Sequence, residues 1–216
     1  MNIDKISHQK RQEERLNALT HFIGVLFCLT AAPYALYKAY IADSPLLFIS
    51  VCIFLIGMIL VYTFSTVYHL AVDQKTKILL QKLDHISIYF LIAGTYTPVI
   101  LQYADINTAT VFLGVMWSIV VLGIFYKLFF INRAELLSLA LYLALGWMVV
   151  FVAKPIADNM PPSVFWWVLL GGLSYTAGVY FFVKDHRQYY HAIWHLFVLG
   201  GSAFHFFAIN ELINLS

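Results

Sequence analysis

Charge is what this chain has least of. Aspartate, glutamate, lysine and arginine make up 11% of its 216 residues, while 62% are hydrophobic. A soluble domain is about 25% charged and under half apolar. The charge-free sequence exceeds what a soluble core could bury, which excludes that class and points to a polytopic helical membrane protein. The basic residues are scattered through short loops, so no nucleic-acid-binding patch is expected. Cysteine is scarce as well: Cys28 and Cys52 both lie inside apolar runs and read as small packing residues rather than a bridge. No cleavable leader is expected, because Met1–Arg15 is polar and mixed in charge and no short apolar core with a small-residue cleavage site follows. Internal repeats, low-complexity tracts and linkers are absent too, which leaves one compact domain.

What is present are seven charge-poor runs: Leu16–Tyr37, Ser44–Val72, His85–Ala104, Ile106–Tyr126, Leu136–Ala153, Asn159–Val183 and Gln188–Asn210. Each approaches or exceeds the roughly 17–25 residues a helix needs to cross hydrocarbon, and the fifth is the shortest. The expected architecture is an all-α, seven-transmembrane helix bundle occupying residues 16–212. A polar N-terminal segment (1–15) precedes it and a short tail (213–216) follows. Lysine and arginine set the orientation. The N-terminus and the loops after the second, fourth and sixth runs carry Lys5, Lys10, Arg11, Arg15, Lys75, Lys77, Lys82, Lys127, Arg133, Lys184 and Arg187; the other side has only Lys38 and Lys154. The N-terminus is therefore expected in the cytoplasm and the C-terminus outside.

Prolines and glycines mark local features. Pro33 and Pro98 fall inside spans, where they should bend the helix and free a carbonyl. Gly171, Gly172, Gly178, Gly200 and Gly201 suit close approach of the last two helices.

The stretch His191–Ile209, HAIWHLFVLGGSAFHFFAI, is the most informative. It carries no charge, yet opens with two histidines four residues apart, which share one helical face. Polar groups in hydrocarbon are expensive and usually functional. With the orientation above, His191 and His195 enter from the cytoplasmic side. His69 lies about one turn from the same boundary, and Asp84 and His85 start the third run there. Three histidines and a carboxylate thus share one layer, roughly 5–10 Å inside the edge at about 1.5 Å per residue. Three neutral imidazoles suit Zn²⁺, and three protein ligands with an open fourth position make a site of the catalytic type, whose bound water is acidified towards a pKa of about 7. Asp84 could accept a hydrogen bond from that water as general base, or orient a ligand histidine from behind. Ser65, four residues before His69, faces the same way and could support the site or donate to a substrate oxygen. Each element has a plainer reading: interfacial histidines bonded to backbone, a serine bonded to its own helix, an aspartate capping a helix start. The four at one depth favour the metal.

The remaining histidines rank lower. His85 points about 100° round the helix from Asp84 and reads as a packing or loop contact. His205 lies about 15 Å beyond His195, too far to join. His21 reads as a hydrogen-bonded interhelical histidine with a supporting role as the alternative, and His8 and His186 as solvated.

These residues also carry a wider pattern. EERLNALTHFIG near the N-terminus, STVYHL at 65–70, LDHISIYFLIAGTYTP at 83–98, LYLALGW at 141–147, GGLSYTAGVYF at 171–181 and HAIWHLFVLGGSAFHF at 191–206 resemble bacterial hemolysin III-type membrane proteins, relatives of the progestin and adipoQ receptor family that includes the adiponectin receptors. The resemblance implies seven helices, a cytoplasmic N-terminus and a place in the bacterial plasma membrane. It also implies zinc held by His69, His191 and His195, Asp84 bonded to zinc-bound water, and Ser65 nearby. A wider superfamily sharing this pattern includes alkaline ceramidases, zinc amidases acting on lipids, which supplies a reaction class by analogy.

The leading expectation is an integral membrane zinc hydrolase acting on a lipid amide or ester, with the bilayer as its environment and a lipid as substrate or ligand. One alternative is a receptor-like or membrane-homeostasis regulator in which zinc is structural. Another is a cytolytic protein, against which stands the lack of a secretory leader, a soluble domain or an amphipathic element to line a pore. No motif specifies an oligomeric state.

Overall fold

The computed structural model describes residues 3–130 and 135–216, with side chains described for 10–130 and 137–216. Arg133 and the side chains of Lys5 and His8, all used in the expectations above, lie outside these. Seven helical stretches are long and apolar enough to cross a membrane, and every described regular element is helical. The elements are α1 (Ile3–Ile41), α2 (Pro45–Leu70), α3 (Gln74–Tyr103), α4 (Ile106–Phe130), α5 (Glu135–Gly146), α6 (Ala153–Ala157), α7 (Pro162–Val183) and α8 (Tyr190–Asn214). Between α5 and α6 a 3₁₀ segment spans Met148–Val152.

The connections into α2, α3 and α4 are short and capped. Ser44 accepts from the Leu47 amide and is followed by Pro45 at the first helical position of α2, where its missing N–H is no loss. Asp73 caps α3, accepting from the Thr76 amide and hydroxyl at 2.9 Å each, and these bonds hold its carboxyl below the usual carboxylate range. Asp105 does the same for α4 through the amides of Asn107 and Thr108.

Three boundaries differ from expectation in ways that matter for the site. The polar stretch before Leu16 continues α1 as helix from Ile3. The charged stretch from Gln74 to Asp84 belongs to α3, so Asp84 sits in the third turn rather than at a helix start, and the cap is Asp73. The fifth crossing (137–157) is composite. The Tyr96 hydroxyl donates to the Gly146 carbonyl at the point where α5 gives way to the 3₁₀ segment, and Pro155, which has no amide hydrogen, lies in α6. At the chain's far end α8 runs on to Asn214, past the expected limit. Pro33 and Pro98 both lie inside continuous helices.

α2 and α3 pack most extensively, followed by α7 on α8 and α1 on α2; α4 leans on α3. Tyr62, Tyr89, Phe54 and Met58 are completely buried between them. By contrast α4, the fifth crossing and α7 turn most of their apolar surface outward, as helices facing lipid do.

Candidate metal centre

His69 lies in the last turn of α2, and His191 and His195 in the first two turns of α8. Because α2 ends where α8 begins, the three imidazoles meet. Their ring centroids are 5.2 Å (His69–His191), 5.2 Å (His69–His195) and 4.7 Å (His191–His195) apart. One nitrogen from each falls within 4.8 Å of the others. His69 and His195 are buried and His191 is half-buried.

The partners of the ring nitrogens show which face is free. His69 Nδ1 lies 2.8 Å from Glu14 Oε2. Glu14 is held in turn by Lys77, 3.0 Å from its other oxygen. His195 Nδ1–H donates to the Asn17 carbonyl at 3.1 Å and lies 3.0 Å from the Thr20 hydroxyl. His191 Nδ1 is 3.6 Å from the Asp185 carboxylate. The Nδ1 atoms of His69 and His195 thus bond oxygens on the outside of the cluster, and that of His191 lies on the side of a carboxylate, which leaves the Nε2 atoms for the centre. The buried Nε2 of His69 has no partner among the described residues. An orphaned imidazole nitrogen facing two more imidazoles fits a divalent metal, and carboxylate or carbonyl partners behind ligand histidines are the usual support of such sites.

Around this cluster the other expected residues take different places. Asp84 lines the same cavity, near enough to His191 for their charges to interact. Ser65, one turn before His69, is fully buried; its hydroxyl sits beside the Asp84 carboxyl without a bond of good geometry. His85 also lines the cavity, and its carbonyl accepts from the Tyr142 hydroxyl at 2.9 Å. His21 departs from expectation: both ring nitrogens are buried without a partner among the described residues, and the ring is stacked on His195, with centroids 3.6 Å apart and planes 17° from parallel. His205 stays away from the cluster, with Nε2 3.1 Å from the Val168 carbonyl. His186 is exposed.

Glu14, Asn17, Thr20 and Asp185 were not singled out from the sequence. The signal for two of them was present: Glu14, Asn17 and His21 recur at i, i+3, i+7, one polar face on an otherwise apolar helix. Behind the histidines a cavity of about 370 Å³ runs into the bundle, its walls mostly carbon from residues such as Val61, Ile88, Leu91, Val99, Met160 and Val198.

A family model described as "Haemolysin-III related" matches residues 9–206. The chain belongs to the haemolysin-III-related family. This haemolysin-III-related protein is 39% identical to "Hemolysin-3 homolog" of Bacillus subtilis (strain 168) over 198 residues, 92% of this chain and 93% of that one. It is 36% identical to "Hemolysin-3" of Bacillus cereus, covering 92% and 90%. A more distant relative is "Monocyte to macrophage differentiation factor" of Homo sapiens, 28% identical over 169 residues, 74% of this chain and 69% of that one; it is of the progestin and adipoQ receptor type. With seven membrane-length helices and these bacterial relatives, the haemolysin-III-related chain is a multi-pass bacterial membrane protein.

Proposed function

We propose that this protein is an integral membrane zinc hydrolase that cleaves a lipid amide or ester, with the site on the cytoplasmic side as the distribution of basic residues suggests. The observation that carries the reading is the convergence of three neutral-type imidazoles, each backed by an oxygen, at the mouth of an apolar cavity. Three imidazoles and an open position are the ligand set of catalytic zinc. When bound, zinc supplies a Lewis acid for the scissile carbonyl and an acidified water.

The chain's own residues do the rest. Asp84, half-buried beside the cluster, accepts the proton of the attacking water as general base and then passes it to the departing amine or alcohol. One C–O bond forms, the acyl C–N or C–O bond breaks, and the products are a fatty acid and an amine or alcohol. Ser65 donates its hydroxyl hydrogen to the carbonyl oxygen of the substrate. The stacked His21 ring screens His195 from the far side. The cavity takes the acyl chain out of contact with water.

A second reading, a receptor-like regulator with structural zinc, is favoured by one observation. His69 and the α8 histidines tie together two helices that otherwise touch little. A cytolytic role has its support in the names of the Bacillus relatives. The deciding experiment is metal analysis of detergent-purified protein, with lipid turnover measured on ceramide- and phospholipid-containing vesicles. The expected outcome is stoichiometric zinc, lost in His191→Ala and His195→Ala together with release of fatty acid. Zinc retained by wild type with no lipid turned over, and helix packing loosened on its removal, favours the structural reading. A bilayer conductance abolished by a point change in a span favours the cytolytic one.

A further inference from the structure

The wall of the cavity is uneven. Its residues from α1, α2, α3 and α8 are buried or half-buried, whereas every exposed one, among the described residues, belongs to the fifth crossing or to α7. Gly146, Trp147 and Val150 stand on one side and Phe165 and Thr176 on the other; Val150 is 61% exposed and Phe165 42%. The packing explains the gap. α7 packs extensively on α8 alone, and the fifth crossing leans only lightly on α3. A seam therefore runs between the two, crossed by the hydrogen bond that Trp147 Nε1–H donates to the Thr176 hydroxyl at 3.1 Å.

Two glycines keep the seam open. A Cβ on Gly146 or on Gly172 would meet no atom within 4 Å, the backbone of its own helix aside. Both residues line the cavity, so each faces space rather than a neighbouring helix. Towards the histidines the seam is shut. Leu139, Tyr142 and Leu143 on one side and Val179 and Phe182 on the other are buried or half-buried. The Phe182 ring marks the level of the metal site, its centroid 6.4 Å from that of His191. Gly172 is ten residues from Phe182 on α7, about 15 Å at 1.5 Å per residue, or half of the ~30 Å hydrocarbon layer.

We propose that the cavity is an open-ended slot: an acyl chain longer than the cavity keeps its head at the metal site and passes its tail between Gly146 and Gly172 into the bilayer. The ligand class is therefore long and very long acyl chains, whose length the protein does not cap, an inference that rests on the cavity being an acyl-chain site. A methylene that leaves through the seam passes from one apolar phase to another with no water to cross, so extra length carries no penalty. A closed pocket would have to fold the surplus chain back into space already filled, which close-packed interiors resist.

The test offers an equimolar mixture of laurate, palmitate and lignocerate to zinc-loaded, detergent-purified full-length protein, with the bound acids read by native mass spectrometry. Wild type should retain lignocerate at least as well as palmitate, and both over laurate. Gly172→Trp, which sets a ring in the seam where the glycine leaves room, should lose lignocerate about tenfold or more, the cost of overpacking, with laurate and zinc content unchanged. Gly146→Trp should act in the same sense. Rejection of lignocerate by wild type, with palmitate held, overturns the open slot but leaves the acyl-chain reading standing. Lignocerate retained by both variants overturns the seam as its exit. A wild-type dimer that Gly172→Trp splits assigns the seam to a second copy of the chain and overturns the proposal as well. Failure of all three acids to bind overturns both readings. If one variant does not fold the other carries the test, and if neither folds the ranking of the three acids on wild type decides.

Discussion

The two most closely packed helix pairs are held together by different means. Between α2 and α3 backbone meets backbone. A Cβ on Gly57 would come within 2.6 Å of the Phe90 carbonyl oxygen, and one on Gly94 within 2.9 Å of the Ile53 carbonyl oxygen. Between α7 and α8 backbone meets side chain: Gly171 faces His205, Gly178 faces Trp194 and Phe197, and Gly201 faces the Tyr175 ring. A carbonyl in a helix cannot step aside, whereas a ring can turn. The first pair is therefore a fixed frame and the second an adjustable wall, and the histidine cluster spans the two, with His69 on the frame and His191 and His195 on the wall.

The sharpest way to break this contrast is substitution at the glycines. Gly57→Ala should destabilise towards the upper end of the ~1–3 kcal/mol typical of overpacking, and Gly201→Ala towards the lower end, because its added Cβ meets only carbons of the Tyr175 ring, which can turn. Thermal unfolding followed by circular dichroism compares them; equal losses would erase the distinction. Next in size is the metal tie between frame and wall. Zinc at a hundred times its dissociation constant should stabilise wild type by about 2.7 kcal/mol through mass action and leave His195→Ala unmoved, read as the shift in unfolding midpoint. Glu14→Gln should preserve the fold while weakening zinc binding about 10- to 100-fold, measured by competition with a chelating dye; unchanged affinity would remove Glu14 from the support of His69. The smallest effect belongs to Asp73→Ala at the start of α3. Asp73 has its folded-state pKa depressed, through its bonds to Thr76, so its contribution is present above the ordinary carboxylate range, near pH 4, and fades as pH falls through the depressed value. The variant should lose a little midpoint at neutral pH and lose that acid-side dependence with it. A large loss would mean that the cap, rather than the glycine contacts, holds the frame.

Much of this was legible in the sequence because it depends on composition and short spacing. Seven apolar runs gave seven crossings, and the i, i+4 pair at His191 and His195 placed two imidazoles on one face. Where local pattern and helix extent diverge, the reading stopped short. Glu13, Glu14 and Arg15 look like a tail because they are charged, yet α1 carries them as ordered helix, and that is how Glu14 reaches His69. Gln74–Asp84 is charged enough to resemble a loop but forms the first three turns of α3. The break at Gly146 depends on the Tyr96 hydroxyl, fifty positions away. The stacking of His21 on His195 depends on how α1 lies against α8. Pairings across such separations leave no local periodicity to find.

α1 is a single helix of 39 residues, about 58 Å long at 1.5 Å per residue, against a hydrocarbon layer of about 30 Å. The rod is about twice as long as that layer is thick, and its turns from Glu14 to His21 lie directly beside the imidazoles. A stiff rod carries torque: a small roll of the projecting turns would swing Glu14 from His69 and strip Asn17 and Thr20 from His195 in the same movement. Whatever grips the outer end of this helix holds a handle on the whole coordination sphere.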